Sequence, residues 1–167
     1  MSTPVALTIA GSDSSGGAGI QADLKTFAAL SVYGASVLTA LTAQNTKGVT
    51  GVHLVPPDFV TAQIDAVFDD LAVGAVKIGM VAQAPIADVI SASLARWKPA
   101  HIVLDPVMVA TSGARLLPEE AIAALRSRLI PQATLITPNL PEAAALLDEP
   151  IATSDEAIAA QGRRLLA

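Results

Sequence analysis

A glycine-rich turn near the N-terminus holds residues whose types and spacing suit a polar ligand. Four glycines and four small polar or acidic residues lie between positions 11 and 19, after an apolar run at 5–10 that predicts a buried strand. A helical apolar stripe follows, at Ile20, Leu24, Phe27 and Leu30. Glycines allow close backbone approach, and free N–H groups at a helix start carry partial positive charge. We expect a small polar ligand here; the alternative is a connector without a ligand.

The turn matches neither of two common nucleotide-binding motifs. It lacks the Lys-Ser or Lys-Thr pair that completes a Walker A loop. Positions 17–22 carry the letters of a dinucleotide fingerprint, but the first glycine comes too late after the strand. No acidic residue lies between Asp23 and Asp58 to bind a ribose hydroxyl. These departures exclude a nicotinamide cofactor.

Acidic and amide side chains elsewhere suit phosphate and heterocycle chemistry. Asp105 ends an apolar run, where a carboxylate either serves a cation beside phosphates or bonds to the following turn. Asn139 and Glu142 have the spacing of a helix capping box, which explains both without a ligand. Gln44 carries a donor and an acceptor that can read a ring nitrogen and an amino group together, although loop glutamines usually face water. Asp23, near the start of the first helix, is a further candidate for the polar groups of a substrate.

Alternating strand and helix patterns position these residues. Apolar runs predict strands at 5–10, 35–41, 75–78, 101–104 and 134–136, with a short extra strand at 49–55 and a loop at 44–48. Helices are predicted between them, including 119–129, 140–147 and a last helix behind a capping box at 153–156. This order predicts an α/β fold with a mostly parallel central sheet covered on both faces. Ligands bind beyond the carboxyl ends of such strands, where five candidates fall: Gly11, Gln44, Gly79, Asp105 and Asn139.

Composition narrows the class of protein. The 167 residues suit a single domain over 1–167, and 52% hydrophobic residues can supply its core. A net charge of −5 without a basic cluster argues against nucleic acid or an anionic membrane as partner. The absence of cysteine excludes disulfides, thiolate metal sites and a cysteine nucleophile in this sequence. The uncharged stretch 26–46 is too polar to span a bilayer and no signal peptide is evident, so we expect a cytoplasmic protein.

Five segments, in the same order, closely resemble the hydroxymethylpyrimidine/phosphomethylpyrimidine kinases of thiamine biosynthesis. They are AGSDSSGGAGIQADLKTF (10–27), TALTAQNTKGV (39–49), VKIGMV (76–81), VLDPVMVATSG (103–113) and LITPNLPEAAALL (135–147). These kinases belong to the ribokinase-like superfamily, together with the pyridoxal kinases. The resemblance covers nearly the whole chain, which makes it far more specific than any single glycine pattern.

The resemblance implies a three-layer α/β/α ribokinase-like fold and phosphorylation of 4-amino-5-hydroxymethyl-2-methylpyrimidine and its monophosphate with ATP and Mg²⁺. It implies that Gln44 is the principal pyrimidine-binding residue and that Asp105 and Glu142 lie near the magnesium ion. The other implied positions are a pyrimidine pocket at Gly11, Ala18, Asp23, Gly79, Met80 and Val107, and a nucleotide-phosphate site at Asp105 and Asn139. We also expect a homodimer.

The resemblance also indicates what this sequence lacks. Relatives continue with a nucleotide-holding region and a glycine-rich turn that supplies the anion hole and a catalytic Asp or Cys, so we expect no catalytic residue in this chain and interpret it as incomplete. Two alternatives stay open, a pyridoxal kinase and a non-catalytic pyrimidine-binding protein. Residues 109–115 are small and lack an apolar face, which predicts a flap over the bound pyrimidine or, alternatively, a fixed surface loop.

Overall fold

Strands and helices alternate along the chain in the computed structural model, which describes residues 3–108 and 117–166. The elements are β1 (Val5–Ala10), α1 (Gly19–Ala29), β2 (Tyr33–Leu38), β3 (Ala40–Asn45), β4 (Gly48–Leu54), α2 (Pro57–Asp70), β5 (Ala75–Ile78), α3 (Ala84–Trp97), β6 (His101–Leu104), α4 (Glu119–Ala124), β7 (Leu135–Ile136), α5 (Leu140–Leu147) and α6 (Asp155–Leu165). A π-helical turn at Leu125–Leu129 and a 3₁₀ turn at Ile130–Gln132 follow α4.

Five strands form one parallel sheet in the order β2-β1-β5-β6-β7. The interior strand β1 is buried along residues 6–10, as its apolar run predicted. β3 and β4 form a separate antiparallel hairpin. The predicted α/β class with a mostly parallel sheet is confirmed.

Helices cover both faces of the sheet. On β5, Val76 and Ile78 point into the main apolar core, which includes Ile64 of α2 and Ile90 of α3. Lys77, between them, points to the opposite face and contacts a side chain of α1. This alternation follows from the two-residue period of a strand and gives the three layers α/β/α.

The single strand predicted at 35–41 is wrong, because the chain leaves the parallel sheet at Thr39. The Gln63 side chain of α2 accepts a hydrogen bond from Leu38 N–H (3.0 Å) and donates one to Leu38 C=O (3.1 Å), so it pairs with the end of β2 as a neighbouring strand would. Thr39 then donates its N–H to Ala10 C=O (3.0 Å) and its hydroxyl to Met80 C=O (2.7 Å). These bonds fix a turn, after which β3 pairs with β4.

Three smaller predictions about element boundaries are also wrong. Gln44 lies in strand β3 rather than in a loop. The helix predicted at 119–129 is α-helical only to Ala124 and then widens into the π-helical turn. The last helix is capped by Ser154, which accepts a hydrogen bond from Ala157 N–H (3.2 Å); this single serine cap replaces the capping box predicted at 153–156.

Within the described residues, no helix has both the length and the apolar character that a membrane span requires.

The pairing of Gln63 with Leu38 gives a first prediction. Gln63→Ala leaves a part-buried N–H and C=O of Leu38 without partners, and we expect the free energy of unfolding to fall by about 1–3 kcal/mol. Urea denaturation measures it. Gln83→Ala is the matched control, because the Gln83 side chain makes no capping bond at the start of α3. Equal losses in the two variants would contradict the assigned role.

Candidate functional site

A cavity of about 270 Å³ opens at the carboxyl ends of β1, β5 and β6. Its walls come from the glycine-rich turn, the start of α1, strand β3 and the segments that follow β5 and β6. Of the residues that the resemblance implied, seven line it: Gly11, Ala18, Asp23, Gln44, Met80, Asp105 and Val107. Gly79, Asn139 and Glu142 are not among its lining residues.

The carboxylate of Asp13 fills the glycine-rich turn. Its Oδ1 accepts hydrogen bonds from the N–H (2.8 Å) and hydroxyl (2.7 Å) of Ser15, and its Oδ2 accepts from the N–H groups of Gly17 (2.9 Å) and Ala18 (2.8 Å). The chain thus supplies its own anion for three of the N–H groups expected to be free, those of Ser15, Gly17 and Ala18. The turn shapes the wall of the cavity, and these three N–H groups are not available to a ligand.

Burial and hydrogen bonding have opposite effects on the pKa of the Asp13 carboxyl group. The side chain is buried, with 3% exposure, which by itself raises the pKa of the carboxyl group. Hydrogen bonds from Ser15, Gly17 and Ala18 stabilise the charged form and outweigh burial, so the pKa lies below its ordinary value of 3.8. Asp13 is thus a carboxylate at neutral pH.

Glycine is required at one position of this turn for a geometric reason. Gly19 has φ +56°, and a Cβ there would collide with the carbonyl oxygen of Gly11. The same carbonyl accepts a hydrogen bond from Ile20 N–H (3.0 Å), which fixes the first turn of α1 against the end of β1. On the other side of Gly11, the Met80 methyl group occupies the place of a side chain. Met80 thereby forms an apolar wall of the cavity.

The Ser14 hydroxyl holds Gln44 against the glycine-rich turn. It donates to Gln44 C=O (2.7 Å) and accepts from Gln44 N–H (2.8 Å). Within residues 3–108 and 117–166, the Gln44 side chain makes one long hydrogen bond, from the Thr42 hydroxyl to Oε1 (3.3 Å). That hydroxyl lies closer to Ser12 C=O (2.8 Å). The backbone of Gln44 is therefore fixed, while its amide is available to a ligand.

Lys77 is a lining residue that the sequence analysis missed. Its Nζ lies 3.2 Å from Asp23 Oδ2 and 3.5 Å from Asp105 Oδ2. The Thr8 hydroxyl, which is fully buried, donates to the same Asp23 oxygen at 2.6 Å. A lysine inside an apolar strand of a parallel sheet was the available signal, because such a charge needs a partner or a cavity.

Asn139 and Glu142 form the predicted capping box at the start of α5, with two reciprocal bonds of 2.9 Å. Glu142 is buried, and its second oxygen accepts from Met108 N–H at 3.4 Å. The carboxylate thus ties α5 to the segment that begins at Asp105. Among residues 3–108 and 117–166, no group of three or more His, Cys, Asp or Glu side chains is arranged to hold a metal ion.

A second cavity, of about 310 Å³, lies between the glycine-rich turn and the tip of the β3–β4 hairpin. It shares Asp13, Ala18 and Gln44 with the first, so the two are adjacent. The flap predicted from residues 109–115 lies outside the described residues.

Comparisons with known proteins show similarity to one family of kinases. The sequence profile of the phosphomethylpyrimidine kinase family matches residues 13–167. The hydroxymethylpyrimidine/phosphomethylpyrimidine kinase of Escherichia coli (strain K12) is 59% identical over 162 residues, which cover 97% of this chain and 61% of that protein. The crystal structure of phosphomethylpyrimidine kinase from Clostridium difficile 630 superposes with a TM-score of 0.92 at 48% identity, over 98% of this chain and 71% of that one.

A pyridoxal kinase is a more distant structural relative. The Staphylococcus aureus enzyme in complex with AMP-PCP and pyridoxal gives a TM-score of 0.88 at 32% identity, over 99% of this chain and 59% of that one. The chain spans 61% of the length of the Escherichia coli relative.

The buried Asp13 carboxylate predicts how the stability of the folded chain changes with pH. Asp13→Asn removes a charge that accepts four hydrogen bonds, and we expect the free energy of unfolding at pH 7 to fall by at least about 2 kcal/mol. Because the pKa of Asp13 is lowered in the folded state, its contribution to stability is complete above the ordinary value of 3.8. That contribution is lost as the pH falls through the lower folded value.

Urea denaturation between pH 7 and pH 2 tests this. The stability difference between the unsubstituted chain and Asp13→Asn should shrink below about pH 4. Asp69→Asn, at an exposed site on α2, should change stability by less than about 0.5 kcal/mol. A difference for Asp13→Asn that does not change with pH would refute the electrostatic role.

Proposed function

The chain belongs to the phosphomethylpyrimidine kinase family, and on that premise we propose that its cavity binds 4-amino-5-hydroxymethyl-2-methylpyrimidine and the monophosphate of this alcohol. In this proposal the chain forms the pyrimidine-binding part of a kinase that phosphorylates both compounds with ATP in thiamine biosynthesis. The observation that carries the proposal is the Gln44 amide, bonded only at 3.3 Å to the Thr42 hydroxyl within the described residues, on a cavity with the apolar Met80 wall.

The cavity has the chemistry that a flat, amino-substituted ring requires. Gln44 can donate from Nε2 and accept at Oε1, which matches a ring nitrogen and an adjacent amino group. Asp23 Oδ1 is a second acceptor, because the Thr8 and Lys77 contacts both fall on Oδ2. Met80 and Val107 provide the apolar surface for the ring itself.

The donor set at Asp105 fits Mg²⁺ bound together with a nucleotide. Mg²⁺ takes one or two protein carboxylates and completes its shell with water and phosphate oxygens. Asp105 is partly exposed at the cavity, whereas both oxygens of Glu142 already accept backbone N–H groups. We therefore assign direct contact to Asp105 and support of the segment at 105–108 to Glu142, with Asn139 as the cap of α5. When bound, Mg²⁺ would neutralise charge on the transferred phosphate group.

Two alternatives compete with this proposal. A pyridoxal kinase has the same fold, and the Staphylococcus aureus relative carries pyridoxal; the higher identity to the pyrimidine kinases favours the pyrimidine. A non-catalytic pyrimidine-binding protein would use the same Gln44 cavity without transferring phosphate.

We also propose a cytoplasmic homodimer without nucleic acid or membrane partners. Exposed apolar side chains on the hairpin support self-association, since Val52 and Leu54 lie on the same face of β4 and are 49% and 39% exposed. Sedimentation velocity at increasing concentration tests it, and a monomer throughout would contradict it.

Calorimetry and a turnover assay on the same chain separate the candidates. We expect heat of binding with the pyrimidine and none with pyridoxal at equal concentration. Release of ADP with the pyrimidine would show a complete kinase, whereas binding without turnover would assign the chain to substrate recognition alone. Preferential binding of pyridoxal would overturn the proposal.

Gln44→Leu should remove pyrimidine binding selectively. Loss of the amide deletes two hydrogen bonds of a desolvated ring, so we expect the dissociation constant to rise roughly 10- to 100-fold. The measurement is titration calorimetry, with Gln83→Leu as a control outside the cavity. Unchanged affinity in Gln44→Leu, with the fold intact by circular dichroism, would refute the role of Gln44.

A further inference from the structure

The basic residue that lines the cavity, Lys77, has no role in the resemblance or in the proposed function. We propose that Lys77 is a positioning residue, which holds the carboxylates of Asp23 and Asp105 in place and leaves Asp23 Oδ1 as a hydrogen-bond acceptor for the ligand. The identity of that ligand rests on the proposed function; the contacts of Lys77 do not.

Lys77 connects two sides of the cavity. It lies on β5, between β1 and β6, while Asp23 lies on α1 and Asp105 follows β6. Its ammonium group lies 3.2 Å from Asp23 Oδ2 and 3.5 Å from Asp105 Oδ2. The single ammonium group of Lys77 therefore holds Asp23 on the side proposed to bind the ring and Asp105 on the side proposed to bind phosphate.

The contacts at Asp23 are unequal between its two oxygens. Oδ2 receives both the Thr8 hydroxyl at 2.6 Å and Lys77 Nζ. Within the described residues, Oδ1 makes no hydrogen bond, although Asp23 lines the cavity. An acceptor that is held in place but unused suits a donor on the ligand, such as an exocyclic amino or hydroxyl group.

Gly79 provides the space for this ammonium group. A Cβ at Gly79 would lie 3.0 Å from Lys77 Nζ and 3.0 Å from Ala10 Cβ. Gly79 does not line the cavity, and its missing side chain leaves room for the ammonium group of Lys77. Gly79→Ala should accordingly displace Lys77 Nζ, although it also crowds Ala10 of β1.

The charge balance shows why the cation is needed. Three acidic residues line the cavity, Asp13, Asp23 and Asp105, against Lys77 alone among the described lining residues. Asp13 is satisfied by backbone N–H groups and a hydroxyl. Without Lys77, the other two carboxylates would share a partly desolvated space with no cation, and mutual repulsion would turn them away from it.

A double-mutant cycle tests the contacts without any ligand. We would measure unfolding equilibria for Lys77→Met, Asp23→Asn and Asp105→Asn, and for each lysine–aspartate pair. Coupling should appear as a departure of roughly twofold to 150-fold from the product of the single effects. Lys98→Met, at an exposed lysine, should combine additively with either aspartate variant. Additivity in both Lys77 pairs would overturn the proposal.

The absence of cysteine allows a chemical test of the charge itself. Lys77→Cys can be alkylated with bromoethylamine, which restores a side chain of lysine length with an amine, or with bromopropane, which gives the same length without charge. We expect Lys77→Met and the propyl derivative to bind the pyrimidine at least about tenfold more weakly, and the aminoethyl derivative to recover to within about threefold. Gly79→Ala should weaken binding in the same direction.

The outcomes are distinguishable. Equal recovery by the propyl and aminoethyl derivatives would overturn the positioning role, since a space-filling side chain would then suffice. An unsubstituted chain that binds no pyrimidine would contradict the proposed function, while the ligand-free cycle would still decide whether Lys77 holds the two carboxylates. The unsubstituted chain, treated with each reagent, controls for reaction elsewhere.

Discussion

The shape of the cavity depends on the buried carboxylate of Asp13, which is hydrogen-bonded to the backbone of the glycine-rich turn. Asp13 accepts four hydrogen bonds within the turn that joins β1 to α1, and no ligand is needed to satisfy those N–H groups. Because the turn is closed in this way, the start of α1 is fixed relative to the end of β1. Asp23 and Ala18 are placed on the cavity wall as a result, and the Ser14 hydroxyl of the same turn fixes Gln44 across from them.

This arrangement divides the polar groups near the cavity into two kinds. Those of Asp13 and Glu142 are satisfied by backbone N–H groups and give the site its shape. The Gln44 amide, Asp23 Oδ1 and the partly exposed Asp105 carboxylate retain capacity for a ligand. A glycine-rich turn near a helix start therefore does not by itself indicate a phosphate site, because a side chain of the turn can occupy the same N–H groups.

The sequence predicted the elements well where a single physical signal dominated. Apolar residues located β1, β5 and β6, and the Asn139–Glu142 spacing located the start of α5. The sequence-based prediction was wrong where a side chain distant along the chain determines the end of a strand. Gln63, 25 residues from Leu38 along the chain, ends β2, and no local pattern at 35–41 reveals it. Lys77 is a related case, since its carboxylate partner Asp23 lies 54 residues away along the chain.

The Gln63 amide has a consequence for the sheet as a whole. β2 is an edge strand, and its outward N–H and C=O groups are a template on which a strand from another molecule can add. At Leu38 that template is already occupied by a side chain, which cannot be extended into a further strand. Intermolecular β-pairing, and with it fibre-like growth along this border, is thus interrupted at the end of β2 that leads to the ligand cavity.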